Sequence, residues 1–216
     1  MQHRSTQTHG KQMLFAFSGD HWLTVHLGMT GELTAKPEPY EPGKHDHLVL
    51  HLSQNALVFT DPRKFGRIDY HQGLKPTASW QGLPPHPLSE EFTVTLVTQA
   101  LQRHARTPLK MLLLNQNYFP GIGNWMADEI MWQIKLPPHT PSGSLDTKQT
   151  RTLWRLIRKI CEVSLKTIGV DWSEPPTNWL FKYRWDKGHN CPRCHTALVR
   201  ESVRGRTACW CPACQK

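Results

Sequence analysis

Cys191-x-x-Cys194 and Cys211-x-x-Cys214, separated by sixteen residues, constrain the end of this chain more than any other feature of it. Each pair fits a tight turn, and two such turns at the open end of a hairpin bring four thiolates to the corners of a tetrahedron. One structural Zn²⁺ on Cys191, Cys194, Cys211 and Cys214 is the expectation. Cys209 reads as a thiol packed beside the hairpin and Cys161 as a core residue of a helix, neither of them a ligand. His189 and His195 could replace a sulfur, but four well-spaced cysteines make that unnecessary. Five of the six cysteines crowd into residues 191–214, and "MQHRSTQTHGKQ" at the start has no apolar export segment, so metal is favoured over disulfides.

A clip of this size cannot bury a core, so the metal stands in for one. What it holds is "HTALVRESVRGRTACW", with Arg204 and Arg206 near the tip. Two readings stay open at this point: a solvated basic turn, or a rigid rod presenting arginine to phosphate. From Lys182 to Lys216 eight Lys and Arg face two acids, which is +6 of the chain's formal +9. Four thiolates and a Zn²⁺ subtract two charges and leave about +7, an excess that suits a polyanion. No apolar run is long enough to span a membrane.

The 216 residues are enough for one large domain or two small ones. "MLFAF", "HWLTVHLG", "HLVLHL" and "ALVFT" read as short strands, with Leu48, Leu50 and Leu52 on one face of the third. Residues 71–89, rich in Pro and Gly, read as a linker. Helices follow, one capped by Ser89 with Phe92, Leu96 and Ala100 along a face, and one begun by Thr107-Pro108. "WMADEIMWQI" is a third, stopped by Pro137-Pro138. Residues 145–168 form the longest, with Leu153, Ile157, Ile160, Ser164 and Ile168 aligned. The fold class is α+β: an incomplete β-sandwich over 1–72, a linker over 73–88, a helical domain over 89–180 and a zinc finger over 181–216.

"NYFPGIGNWMADEI" places a glycine-lined turn between two helical patterns. Unpaired N–H groups at a helix start suit an anion, the glycines let a phosphate approach, and Asn124 adds an amide. This helix–two-turn–helix signature with "GIGN", followed by a terminal Cys₄ hairpin closing in "GRTACWCPACQK", resembles the Fpg/Nei family of DNA glycosylases. "GKQMLFAF", "VHLGMTGEL", "KHDHLVL" and "DPRKFGRI" resemble successive motifs of that family in the same order. The resemblance runs from about Gly10 to the last residue.

The resemblance implies a base-excision repair glycosylase and AP lyase whose two domains grip duplex DNA in a basic cleft and flip out a damaged nucleotide. It matches Lys11, His26, Asn124 and Arg206 to phosphate contacts, Lys11 also supporting catalysis, and Lys110 to a basic position in the same cleft. Met29, Arg63 and Phe65 match the trio that fills the void left by the flipped base. A thioether, a planar cation and an aromatic wedge suit that task. The implied partner is double-stranded DNA carrying a damaged base or an abasic site, bound by a monomer in the cytoplasm, at the nucleoid if the source is bacterial.

Family chemistry uses the amine of an N-terminal proline, followed by a glutamate. An α-amine with a pKa near 8 is partly neutral at pH 7, attacks C1′, and forms a Schiff base that permits strand cleavage. Here Gln2 and His3 follow Met1, and Lys11 comes sooner than in full members. The expectation is a chain lacking its catalytic leader, with a polar, mobile start and no efficient nucleophile. A non-catalytic zinc-dependent damaged-DNA-binding protein is the alternative. The short segment 169–185 leaves little room for a long lesion-capping loop.

Overall fold

The computed structural model describes residues 2–171, 173–185 and 188–216. Met1, with the α-amine expected to be the chain's only one, and Trp172, in the segment expected to exclude a capping loop, lie outside the described residues. The chain divides into two units between Leu83 and Pro84. The stretch 73–88 is not open linker throughout, because Thr77 caps a one-turn helix α1 (Ala78–Gln81).

In the first unit β1 (His3–His9), β2 (Gln12–Phe17), β3 (His21–His26) and β7 (Arg67–Gln72) form an antiparallel sheet in the order β1-β2-β3-β7. β4 (Glu32–Pro37), β5 (Asp46–His51) and β6 (Asn55–Thr60) form a second, in the order β4-β6-β5. Phe15, Phe17, Leu23 and Val25 of the first sheet pack with Phe59 of the second, joined by Leu33, Leu48, Leu50 and Leu57. Each such side chain fully buried contributes about 1.5–3 kcal/mol, which is what holds the two sheets face to face.

Residues 3–9 are not a mobile leader: "HRSTQTH" pairs with β2 from His3↔Phe17 to His9↔Gln12. With no apolar alternation it gives no period-2 signal, and its order comes from backbone bonds to the apolar strand beside it. Leu52 does not continue the buried face of β5, because the strand ends at His51 and Leu52 is 50% exposed.

The second unit is helical. Its elements are α2 (Val94–Arg103), α3 (Leu109–Leu113), α4 (Asn124–Ile134), α5 (Thr147–Lys166) and α6 (Ile168–Asp171), then the hairpin β8 (Val199–Val203) and β9 (Arg206–Trp210). Ser89 is not the cap of α2. Thr93 is, accepting from the Leu96 amide, and the buried face is Val97, Ala100 and Leu101. Leu96 is left partly exposed. Asp146 and Gln149 close a reciprocal capping box on α5, which buries Leu153, Ile157, Ile160 and Cys161 against α2, α3 and α4. Such a cap is worth about 1 kcal/mol. Residues 181–216 are continuous with this unit, since Trp132 and Leu180 pack directly on Cys191, Cys209 and Cys211.

Candidate nucleic-acid interface

Pairing brings most of the first unit's expected contacts to one end of a sheet. Gln12 lies opposite His26, and His26 opposite Arg67, so Lys11, His26 and Arg67 share that end. A groove of about 340 Å³ there is lined by Gly10, Lys11, His26 and Gly28 among others. His26 Nδ1 accepts the Gly28 amide at 3.1 Å, which leaves the ring proton on Nε2. Burial first, then the charges of Lys11 and Arg67, push its pKa below the ordinary histidine value, so a neutral imidazole is the donor on offer.

The loops leaving β3 and entering β7 emerge at the same end. Met29 on the first is 67% exposed and Phe65 on the second 55%; neither is a core residue, as side chains of their type more often are. The Arg63 guanidinium lies 4.8 Å from the centre of the Phe65 ring. Gly28, at φ +70°, brings its backbone so close to Phe65 and Gly66 that a Cβ there would lie 2.5 Å from the Phe65 carbonyl carbon. Under both loops lies Asp61, with no exposure. It accepts from Thr30 Oγ1 at 2.7 Å, from the Arg63 amide at 3.2 Å and from the Gly66 amide at 2.7 Å. The Thr30 hydroxyl first, then these amides, hold its carboxyl at about 2.

In the second unit the glycine turn is organised by a residue that its motif does not advertise. Gln116 donates to the Leu114 and Ile122 carbonyls and accepts from the Gly121 amide. The turn ends in α4 with Gly123 at the N-cap and no side-chain cap, leaving first-turn amides open to an anion. Asn124 is the first helical residue, and its Nδ2 donates to the Thr207 carbonyl at 3.0 Å. That carbonyl follows Arg206, which is exposed at the start of β9. Arg204 and Gly205 both have positive φ and make the two-residue turn that closes the hairpin. Asn124 thereby bonds the strand residue that follows Arg206.

Lys110 is corrected. It is fully buried and reaches no surface. Its ammonium donates to Asp128 and, at 2.7 Å, to the same Thr207 carbonyl. Burial lowers its pKa against the opposing pull of Asp128. Asp128 also accepts from Arg184 Nη2 at 2.7 Å and from the Cys209 amide at 3.2 Å. A lysine expected to face DNA instead fastens the hairpin from behind.

Cys191, Cys194, Cys211 and Cys214 are free thiols whose sulfurs all lie within 4.8 Å of one another. Cys194 and Cys211 are 3.4 Å apart and Cys191 and Cys214 3.9 Å. Four thiolates at 2.3 Å from a tetrahedral ion lie about 3.8 Å apart, so the cluster fits one metal ion. The Trp132 indole N–H donates to Cys191 Sγ at 3.3 Å, and Gln215 Oε1 accepts the Cys211 amide. Cys161 and Cys209 lie outside the cluster, their thiols pushed up by burial to about 12 and about 11. Among the described residues no helix is long and apolar enough to cross a membrane.

Residues 2–68 match the family described as "Formamidopyrimidine-DNA glycosylase N-terminal domain", and residues 83–173 the "Formamidopyrimidine-DNA glycosylase H2TH domain". The formamidopyrimidine-DNA glycosylase of Carboxydothermus hydrogenoformans is 34% identical over 215 residues, 96% of this chain and 78% of that protein. The crystal structure of the MutM (Fpg) protein from Thermus thermophilus aligns with a TM-score of 0.82 at 33% identity, covering 99% of this chain and 83% of that one. Lactococcus lactis Fpg in complex with DNA containing a Fapy-dG aligns with a TM-score of 0.86 at 26% identity, over 99% and 82% of the two chains.

Proposed function

Because the chain belongs to the formamidopyrimidine-DNA glycosylase family, we propose that it grips duplex DNA at a damaged base or abasic site, as a base-excision repair glycosylase and AP lyase. One observation carries the reading: the exposed Met29, Arg63 and Phe65 stand at the sheet end that also presents Lys11 and His26. Cations there suit the phosphates flanking an extruded nucleotide, and the trio suits the hole it leaves. Asn124 and Arg206, joined through Thr207, form a second phosphate contact. The four-thiol cluster holds one structural Zn²⁺ that fixes the hairpin bearing Arg206. The work is done wherever the DNA is, in the cytoplasm and at the nucleoid if the source is bacterial.

Gln2 and His3 cannot supply the family's proline amine and glutamate. The Gln2 amide is bonded to Ser18 Oγ at 2.8 Å, and the His3 ring packs edge-on to Phe17. A polypeptide of these 216 residues is expected to bind abasic DNA but neither to excise a base nor to cut the strand efficiently, leaving only slow lyase reaction at an accessible lysine. Borohydride, which freezes a Schiff base as a covalent adduct, tests this. Weak trapping with tight binding supports the proposal. Efficient trapping that vanishes in Lys11→Ala would show a resident nucleophile and refute it.

A further inference from the structure

The mouth of the first unit is built of two loops, and nothing in the roles given to Met29, Arg63 and Phe65 explains why they should act together. Met29 belongs to the loop 27–31, whereas Arg63 and Phe65 belong to the loop 61–66. The loops meet backbone to backbone at Gly28 against Phe65 and Gly66. Gly66 is also pressed on the Phe59 ring, where a Cβ would lie 2.4 Å from Cζ. Contact alone would let the loops slide past one another.

A single carboxylate prevents that. Asp61 Oδ1 accepts the Thr30 hydroxyl of one loop and the Arg63 amide of the other, while Oδ2 accepts the Gly66 amide. The Asp61 amide donates to the His45 carbonyl at 2.9 Å, and its carbonyl faces His47 Nε2 at 2.9 Å, so the residue is fixed to the second sheet. Hydrogen bonds to an ionised acceptor are about twice as strong as neutral ones. We propose that Asp61 is the positioning residue of the wedge: it ties the Met29 loop to the Arg63–Phe65 loop, so that the three side chains meet DNA as one preset unit. The tie is a property of the free protein; its use on DNA rests on the void-filling reading given above. Presetting removes the cost of ordering two loops at the moment of binding.

Amide hydrogen exchange on the free protein reads the tie directly. Thr30→Val deletes one hydroxyl from the first loop, and exchange at Arg63, Phe65 and Gly66, on the other loop, is expected to rise roughly tenfold. Thr30→Ser restores the donor and is expected to restore the rate. Wild-type exchange in Thr30→Val overturns the proposal, whether or not Asp61→Asn folds. On DNA, 2-aminopurine opposite an abasic site brightens when a wedge unstacks it. Thr30→Val is expected to reduce that rise at unchanged salt dependence, and Thr30→Ser to keep it. A full rise in Thr30→Val, with exchange accelerated, overturns the claim that the tie presents the wedge. A rise that survives Met29→Ala and Phe65→Ala sinks the void-filling reading itself, and the exchange result distinguishes that failure from the other.

Discussion

Lys110 and Asp128 form an ion pair in which neither side chain is more than 1% exposed. Asp128 carries a second cation, Arg184, and an amide, that of Cys209. Asp128→Asn leaves two buried cations facing a neutral amide and is expected to cost about 3–5 kcal/mol. Lys110→Met, which keeps Arg184 and the Cys209 amide on the carboxylate, is expected to cost less. Urea unfolding measures both. Lys110→Met should also leave the salt dependence of DNA binding unchanged; a shallower slope would put Lys110 back among the phosphate contacts.

Arg206 and Asn124 are expected to act differently although both are proposed to contact phosphate. Arg206→Ala removes an exposed cation, so affinity for abasic-site duplex should fall and the slope of log K against log salt should lessen by about 0.9, one phosphate's share. Asn124→Ala removes a neutral donor and leaves the Thr207 carbonyl to Lys110 alone, so affinity should fall with little change of slope. Titrations at several salt concentrations separate the two. An unchanged slope for Arg206→Ala would argue that the hairpin does not face phosphate.

The thiol cluster makes a prediction about which cysteines matter. One Zn²⁺ per chain is expected by elemental analysis, lost or weakened in Cys211→Ser and retained in Cys209→Ser and Cys161→Ser. Chelation should loosen the hairpin and with it the packing around Trp132, whose indole bonds Cys191, so its fluorescence should change. Loss of metal in Cys209→Ser with retention in Cys211→Ser would overturn the ligand set.

Glu129 gives the helical unit a pH dependence. It is fully buried, accepts from Gln133 at 2.7 Å and from the Phe181 amide at 3.1 Å, and burial pushes its pKa from 4.5 up to about 7. The folded state therefore holds a proton that the unfolded chain releases between those values. Stability from this group falls as pH rises from 4.5 through 7, by on the order of 3 kcal/mol in all. Glu129→Gln should flatten that fall and be the more stable protein at pH 8. Thermal melts of both proteins at pH 5 and pH 8 decide it, and parallel curves would count against the assignment.

What was legible in the sequence was local. Cys191-x-x-Cys194, "GIGN" and "DPRKFG" announce turns through their spacing, and turns need few distant partners. Asp128 and Arg184 stand 56 residues apart, and no periodicity links them. Lys110, beside "MLLL" in a basic chain, looks like a solvated cation until α4 brings a carboxylate to it. The strand β1 is polar at every position, so its pairing cannot be told from its own residues. Asp61 did carry a signal: an aspartate opening a tight turn with free amides at the following residues is placed to accept from them. Its bond to Thr30, 31 residues earlier, was not available from pattern.

The Thr207 carbonyl takes bonds from both Lys110 and Asn124, and it belongs to the main chain. A side-chain scan of the hairpin will therefore pass over position 207, scoring it as tolerant while its oxygen anchors the strand beside Arg206. Any residue placed at 207 brings the same main-chain acceptor. The dependence would surface only under backbone chemistry, as when an ester in place of the 207–208 amide weakens that oxygen and leaves every side chain intact.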